Sequence, residues 1–418
     1  MINRSYFFSF MIGVIYVLFT FEAQIFFSFL TTTRIATLIV SILFIDSIIM
    51  KRNIKISRLY LPIILFFIIL IIWAVLNLII HFVIGGGTEI KSLITIILIT
   101  LNILMLATIF ENNKIEYNIV IDVIWVLGLI TTISVLFFLI SNANFNLLDS
   151  NTRISIVKNY FNSNLVSGTS RFFYGLIALN IFSVAYALSY MKSNFFIKKL
   201  SLLNIFMILI MLIISNSRQN LLFLLFLLLI PKILSYQLRT IIQTFFKVLG
   251  AIFLFIAIIS FSTNFINVFK KKYIERTSKQ LEEGSERTIT YQNAINDIQA
   301  NPIFGMGMGE FEKQHSITTH NGYLWIGTEL GIFPLIVYTV LLIFILSSLR
   351  LFKKLNKDYI LLCRILYAYI VCFIMISNNL NELFKDYIFY IVVIIYFSIL
   401  ASKKYDIKKN GETTSITI

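Results

Sequence analysis

Long blocks of Ile, Leu and Phe recur along this sequence and constrain its fold more than any other feature. Each block runs for about 18 to 22 residues, the length that an α-helix needs to cross about 30 Å of hydrocarbon. The blocks are apolar throughout and do not alternate, which disfavours a transmembrane β-barrel. The chain is 58% hydrophobic and 13% charged, with 41 Phe in 418 residues. The sequence therefore predicts an all-α fold, a polytopic transmembrane helical bundle.

About twelve blocks meet this length criterion. They lie near residues 5–21, 34–50, 59–80, 91–110, 118–140, 172–190, 200–215, 218–235, 241–262, 321–349, 359–377 and 386–401. Lys and Arg gather in alternate connections between the blocks, such as 51–58 and 350–358. Because basic loops are retained on the cytoplasmic side, this alternation predicts a multi-pass protein of the cytoplasmic (inner) membrane with both termini cytoplasmic.

The net charge of +15 does not indicate a nucleic-acid partner. The basic residues cluster in short loops between the apolar blocks, where they set the topology of a membrane protein. We therefore expect membrane lipid around the chain and no nucleic acid bound to it. Cys363 and Cys372 lie nine residues apart in one apolar block, and this spacing predicts neither a disulfide nor a metal site.

The predicted topology leaves a large extracytoplasmic loop at 264–320, with room for short helices. Within it, the stretch "SERTITYQNAINDIQANP" predicts one helix. Ser285 is a capping residue type, and the Asn-Pro pair at 301–302 ends the helical pattern. Three apolar side chains should share one face of this helix: Tyr291, Ile295 and Ile298.

Two arginines begin predicted helices on the outer side. Arg218 follows "SNS" and opens an apolar block, and Arg287 opens the loop helix. Unpaired N–H groups at a helix N-terminus attract anions, and a guanidinium adds two parallel donors. A phosphate-bearing lipid headgroup would fit such positions. A plainer interpretation also stands, in which Arg218 anchors its helix at the interface and Arg287 pairs with Glu283 or Glu286.

His320 lies in "TTHNGYLWIGTELG", where a polar stretch becomes the apolar block 321–349. A histidine at the water boundary can take up a proton near neutral pH, which makes His320 a candidate acid–base group. The alternative is an interfacial polar residue without chemistry. His81 and His315 receive only that second interpretation.

Two further features of the sequence favour packing over chemistry. The glycines of "FGMGMGEF" (304–311) do not have the spacing of a dinucleotide-binding loop and predict close backbone packing. Glu329 should lie within the membrane, nine residues after His320, which is about 180° around a helix. We therefore expect Glu329 to contact a neighbouring helix and not His320.

The order of these motifs resembles the bacterial O-antigen ligase and O-antigen polymerase superfamily. The resemblance rests on "SNSR", then "ERTITYQNAINDIQANPIFGMG", then "HNGYLWIGTELGI". It implies three parts: N-terminal transmembrane helices in 1–164, a ligase- or polymerase-like core in 165–350 that includes the loop 264–320, and C-terminal transmembrane helices with a basic tail in 351–418.

The resemblance also implies a reaction on the outer face of the membrane. The donor would be an oligosaccharide on undecaprenyl diphosphate, transferred with inversion and without a metal, a cofactor or a nucleotide sugar. Arg218 and Arg287 would hold the diphosphate, and His320 would activate or orient the acceptor hydroxyl, with Asn321 beside it binding substrate. The stretch "RISIVKNYFNSNLVSG" loosely resembles a further family motif. It adds Arg153 and Asn164 as substrate-binding residues, although Ser163 stands where the family has proline.

Two members of the superfamily differ in their acceptor, which is another lipid-linked repeat for a polymerase and the lipid A core for a ligase. Pro334 stands where the ligase pattern has a small residue or tyrosine, and this favours the polymerase. A chain-length regulator would be a further partner. A flippase or other transporter is the alternative from another class. It predicts cationic residues deep within several spans, whereas most of the basic residues here crowd the loops.

Overall fold

A computed structural model describes the chain in eleven segments. They comprise residues 4–20, 32–51, 56–84, 90–142, 175–188, 195–214, 218–234, 286–319, 321–348, 357–376 and 387–409. Every regular element in these segments is a helix. The all-α prediction is confirmed for this part of the chain.

The helices follow the apolar blocks of the sequence. In chain order they are α1 (Arg4–Thr20), α2 (Thr32–Lys51), α3 (Leu61–Ile84), α4 (Ile90–Asn112), α5 (Tyr117–Asn142), α6 (Ile181–Ala187), α7 (Phe195–Ile214), α8 (Arg218–Ile233), α9 (Glu286–Ala300), α10 (Glu310–His315), α11 (Gly322–Glu329), α12 (Ile332–Ser347), α13 (Lys357–Ile376) and α14 (Tyr387–Lys409).

The length and the apolar composition of the helices indicate a multi-pass membrane protein. Among the described residues, five helices are long and apolar enough to cross a membrane, namely α2, α3, α4, α5 and α7. Shorter apolar helices of 10–17 residues lie within α1, α8, α12, α13 and α14. The predicted block 241–262 lies outside the described residues, so the prediction of about twelve spans stays a prediction.

The first five helices alternate in direction, as the loop charges predict. The Arg4 guanidinium donates to Asp46 at 2.8 Å, which places the start of α1 beside the end of α2. The Ser5 hydroxyl donates to Glu116 at 3.0 Å, and Asn113 Nδ2 donates to Ser47 Oγ at 3.0 Å. We call this end of the bundle, where α1 begins and α2 ends, the proximal end, and the opposite end the distal end.

Aromatic contacts extend the same order to the C-terminal helices. The ring centroid of Phe66 lies 5.7 Å from that of Tyr338, and that of Phe67 lies 4.7 Å from that of Tyr390. Near the proximal end of α3, the ring of Tyr60 lies 6.5 Å from that of Phe397. Helix α3 is therefore antiparallel to α12 and α14, and its last turns lie at the distal end.

Buried polar side chains join the helices inside the bundle at Asn180. Residues 175–179 and α6 replace the continuous block predicted at 172–190, with a turn at Asn180 between them. Asn180 Nδ2 donates to Thr132 Oγ1 at 2.9 Å, and Asn204 Nδ2 donates to Asn180 Oδ1 at 2.7 Å. Amide hydrogen bonds between helices of this kind stabilise membrane bundles where water is absent.

The structure divides the predicted span 321–349 into α11 and α12. Gly331 separates them with φ 92°, a left-handed conformation that suits glycine. Pro334 has no N–H with which to continue the helical ladder toward Leu330. The Ile332 N–H donates outside the helix, to the Pro302 carbonyl at 2.9 Å. The continuous helix expected from hydropathy is therefore wrong at this point.

The glycine-rich segment 304–309 binds the carbonyl groups that this break leaves free. The Met306 N–H donates to the Thr328 carbonyl at 2.7 Å, and the Gly307 N–H donates to the Glu329 carbonyl at 3.1 Å. Irregular backbone in a membrane protein is stable only where its polar groups are paired in this way. The predicted close backbone packing of the glycines is confirmed.

Helix α3 supplies two side-chain donors to the same break. Trp73 Nε1 donates to the Leu330 carbonyl at 2.8 Å. Asn77 Nδ2 donates to the Glu329 carbonyl at 3.2 Å and also to the Phe304 carbonyl. The indole of Trp73 stacks on the Phe304 ring, with centroids 5.2 Å apart. One face of α3 therefore holds both the break and the glycine-rich segment.

Substitution of Gly331 by alanine should destabilise the protein severely. A Cβ at Gly331 would lie 2.0 Å from the Ile303 carbonyl oxygen, and an L-residue in the left-handed region costs a further ~1–2 kcal/mol. Gly327→Ala is the matched control, since its Cβ would meet side-chain atoms and no backbone, with Ile298 Cδ1 at 2.8 Å and Leu335 Cδ2 at 3.7 Å. Thermal unfolding in detergent should show a large loss for Gly331→Ala and a small one for Gly327→Ala. Equal melting temperatures would contradict this description of the break.

Candidate functional site

The loop helix predicted from "SERTITYQNAINDIQANP" is α9, and its bounds Glu286–Ala300 confirm the prediction. Its buried face differs from the predicted one, because Ile295 is 42% exposed whereas Thr290 and Ala294 are buried. The reason is close packing on α11. A Cβ on Gly327 would lie 2.8 Å from Ile298 Cδ1, so Ile298 of the predicted face makes the contact while Thr290 and Ala294 take the place of Tyr291 and Ile295 beside it.

Position 287 shares this face of α9. Residues 287, 290, 294 and 298 recur at intervals of three or four along the helix, which places them on one side. Ile298 packs on Gly327 of α11, and Thr290 and Ala294 are buried on the same side. The structure describes the backbone of Arg287 but not its side chain. This arginine therefore occupies the first turn of α9 on the side that faces α11.

Helix α10 is joined to α9 by a histidine–carboxylate pair. His315 Nε2 lies 2.8 Å from Asp297 Oδ2, and His315 Nδ1 lies 3.4 Å from Asn293 Nδ2. The Phe311 ring packs on the imidazole with centroids 4.6 Å apart. The sequence interpretation of His315 as an interfacial polar residue missed this pair. Asn293 and Asp297, one turn apart on α9, were the available signal, but nothing in the sequence connects them to position 315.

Asn321 begins α11 as its N-cap. Its backbone is extended, and its side-chain Oδ1 accepts hydrogen bonds from the Tyr323 N–H at 3.0 Å and the Leu324 N–H at 3.2 Å. The Thr319 hydroxyl donates to the Asn321 carbonyl at 3.2 Å. His320 itself lies outside the described residues. The residues on either side of it in the chain, Thr319 and Asn321, are thus joined to each other by a hydrogen bond.

Glu329 is a buried carboxylate, 2% exposed, at the last residue of α11. Its Oε2 accepts a hydrogen bond from the Gly309 N–H at 2.9 Å. The sequence led us to expect a contact with a neighbouring helix, and the carboxylate makes one at the start of α10. Gly309 is the N-cap residue of α10, so Glu329 links the end of α11 to the start of α10.

The end of α3 completes this assembly on the distal side. A Cβ at Gly307 would lie 3.1 Å from the His81 ring, so the imidazole lies directly against the glycine-rich segment. We call the assembly of α9, the segment 301–309, α10 and α11 the distal cap. It rests on α3 through Trp73, Asn77 and His81.

Arg218 begins α8, as the sequence predicts. Trp125 Nε1 of α5 donates to Ser201 Oγ of α7 at 2.9 Å. Further along the two helices, Thr132 and Asn204 are joined through Asn180, so α5 and α7 run parallel and α7 ends distally. Three residues separate that end from α8, and the backbone of Arg218 therefore lies at the distal end. The Arg218 side chain, Arg153 and Asn164 lie outside the part of the chain that the structure describes.

The backbones of Arg218, Arg287 and Asn321 thus lie at one end of a multi-pass helical membrane protein, each in the first turn or cap of a helix. A family model described as O-antigen ligase matches residues 203–339. The match contains positions 218, 287, 320 and 321, and over these residues the chain is similar to the O-antigen ligase family. The resemblance stated from the sequence is thereby confirmed. No curated protein matches the chain.

Replacing Asn321 should separate its capping function from any other. Asn321→Ala removes the acceptor for two backbone N–H groups and should cost about 1 kcal/mol of stability. Asn321→Asp keeps the acceptor and should unfold close to the wild-type temperature. Thermal unfolding of the purified variants measures the difference. Identical unfolding of the alanine and aspartate variants would show that the cap does not stabilise α11.

Proposed function

We propose that this protein is a membrane glycosyltransferase that polymerises undecaprenyl-diphosphate-linked oligosaccharide repeat units into O-antigen or capsular or exopolysaccharide. The similarity to this family supports a lipid-linked glycan enzyme of the ligase or polymerase type. In this proposal the distal end faces outward from the cytoplasmic membrane, and both termini are cytoplasmic. The transfer takes place at the distal cap.

Arg218 and Arg287 hold the diphosphate of the donor. Both occupy the first turn of a helix, where unpaired N–H groups and the helix dipole favour an anion. Negative charge grows on the diphosphate as the glycosidic bond breaks. Guanidinium groups fixed in place beforehand stabilise that charge without reorganisation, and their planar fork matches phosphate oxygens.

His320 activates the acceptor hydroxyl, and Asn321 helps to bind it. The hydroxyl oxygen attacks the anomeric carbon of the donor while its proton passes to the imidazole. The bond from that carbon to the diphosphate breaks on the opposite face, so the configuration inverts and undecaprenyl diphosphate leaves with the bonding electrons. Asn321 Oδ1 is engaged by the helix cap, which leaves the Nδ2 group for a sugar oxygen.

The contact between α9 and α11 is the observation that carries this proposal. It brings the helix that has Arg287 in its first turn against the helix that follows His320, through Ile298 and Gly327. Donor-side and acceptor-side groups need a fixed separation, and packed helices hold one better than mobile loops do. Arg153 and Asn164, from the connection 141–171, are proposed to bind the glycan part of the substrate.

A ligase that transfers the glycan to the lipid A core is the second candidate. Donor chemistry would be the same, and Pro334 in the first turn of α12 is the residue that favours the polymerase. A transporter is less well supported. Among the described side chains no Lys or Arg is buried, and a path for an anionic lipid headgroup through the bundle would need such residues.

Arginine-to-lysine substitutions test the donor site. Arg218→Lys and Arg287→Lys keep the positive charge but lose the fork, and each should lower the transfer rate by about a hundredfold. Arg58→Lys, in an exposed proximal connection, is the matched control and should keep the wild-type rate. The rate is measured as consumption of the lipid-linked saccharide by membranes that contain equal amounts of protein. Full activity of both variants, Arg218→Lys and Arg287→Lys, would show that these arginines only anchor their helices.

Deletion of the gene distinguishes the two acceptors. Loss of a polymerase should leave a single repeat unit on the core, whereas loss of a ligase should leave lipid-linked polymer and bare core. We expect the first pattern, and complementation with His320→Ala should reproduce it. Normal polymer length with a stable His320→Ala protein would contradict the catalytic assignment.

A further inference from the structure

We infer that Asp297 and His315 are positioning residues, which hold the segment carrying His320 in register with the helix carrying Arg287. This inference rests on the proposed function, since it assigns the pair a role in the same transfer. It follows from four features of the distal cap: the bonding of the imidazole, the weakness of α10 on its own, the chain path to His320, and the exposure of the pair.

Both ring nitrogens of His315 are engaged with α9. Nε2 lies 2.8 Å from an Asp297 carboxylate oxygen, and Nδ1 lies 3.4 Å from the amide nitrogen of Asn293. An imidazole held on both sides has no nitrogen left for a substrate hydroxyl. His315 is therefore suited to fixing geometry and not to proton transfer.

Helix α10 cannot define its own orientation. It has six residues, its N-cap Gly309 makes no side-chain cap, and Phe311 is its one buried residue. So short a helix is not stable by itself and takes its place from tertiary contacts. Glu329 binds the N–H of Gly309 at its start, and Asp297 binds His315 at its end. The two contacts hold opposite ends of α10.

The path from His315 to His320 is short and begins with a constrained turn. Ser316, directly after α10, has φ 54°, the left-handed conformation that residues with a Cβ rarely adopt. Five residues further on, the Asn321 cap fixes the start of α11. Residues 316–320 are thus bounded by His315 on one side and Asn321 on the other. Releasing His315 from Asp297 frees one of these two ends.

The exposure of the pair argues that positioning, and not fold stability, is its main effect. The side chains of His315 and Asp297 are 25% and 19% exposed, at the edge of a bundle built from long apolar helices. A partly solvated ion pair adds little to the stability of such a bundle. Its loss should instead shift His320 relative to Arg287. A displacement of about 1 Å at a reacting group can slow a reaction by up to about a hundredfold.

The test compares His315→Ala, Asp297→Ala and the double variant in the full-length protein reconstituted in liposomes. The probe is the lipid-linked repeat unit extracted from a strain that lacks this gene. We expect each single variant to lower kcat by at least about tenfold, with KM for the lipid donor and the melting temperature unchanged. The double variant should fall no further than the single ones, because both remove the same contact. Asp297→Asn, which keeps a hydrogen-bond acceptor, should recover most of the rate.

Glu312→Gln is the matched control, because Glu312 is an exposed residue of the same short helix. It should keep the wild-type kcat. Wild-type turnover in His315→Ala while His320→Ala is inactive would overturn the inference alone. So would a fall in kcat that follows the melting temperature, or additive losses in the double variant. Wild-type product from His320→Ala as well would overturn the proposed function, and the inference with it.

Discussion

The distal cap depends on one constraint: the backbone carbonyl groups left unpaired between α11 and α12 need hydrogen-bond donors. Hydrocarbon offers no water to pair them, so each must find a donor inside the protein. The glycine-rich segment supplies backbone N–H groups for this purpose, and Trp73 and Asn77 of α3 supply two more donors. Pairing of this kind fixes the loop against the membrane helices. The loop segment 301–309 thereby becomes a fixed part of the bundle.

The proposed chemistry uses this rigidity. Arg287 lies in the first turn of α9, which packs on α11, and His320 directly precedes the cap of α11. Glu329, at the end of α11, accepts a hydrogen bond from the Gly309 N–H at the start of α10. This contact requires that a carboxylate be buried. Buried ionisable groups in membrane proteins commonly serve function, since a neutral side chain would be cheaper to bury. Here the carboxylate accepts the Gly309 N–H and so aligns the backbone at the start of α10.

Much of this arrangement could be predicted from the sequence, because it depends on local signals. Helical blocks follow from hydropathy, the bounds of α9 follow from its Asn-Pro stop, and the start of α8 at Arg218 follows from the preceding capping residues. The break at Gly331 was missed because hydropathy does not register which backbone groups are paired. The pair of Asp297 with His315 was missed because it depends on how α10 turns back onto α9, a tertiary contact that no periodicity encodes.

The central claim is that this protein joins lipid-linked glycans at its distal cap, and reconstitution tests it most directly. Purified protein in liposomes is supplied with labelled undecaprenyl-diphosphate-linked repeat units, in the absence of nucleotide sugars. The account predicts longer lipid-linked chains together with an equivalent release of free undecaprenyl diphosphate. Labelled lipid that crosses the bilayer but is never joined, in the presence of folded protein, would contradict it.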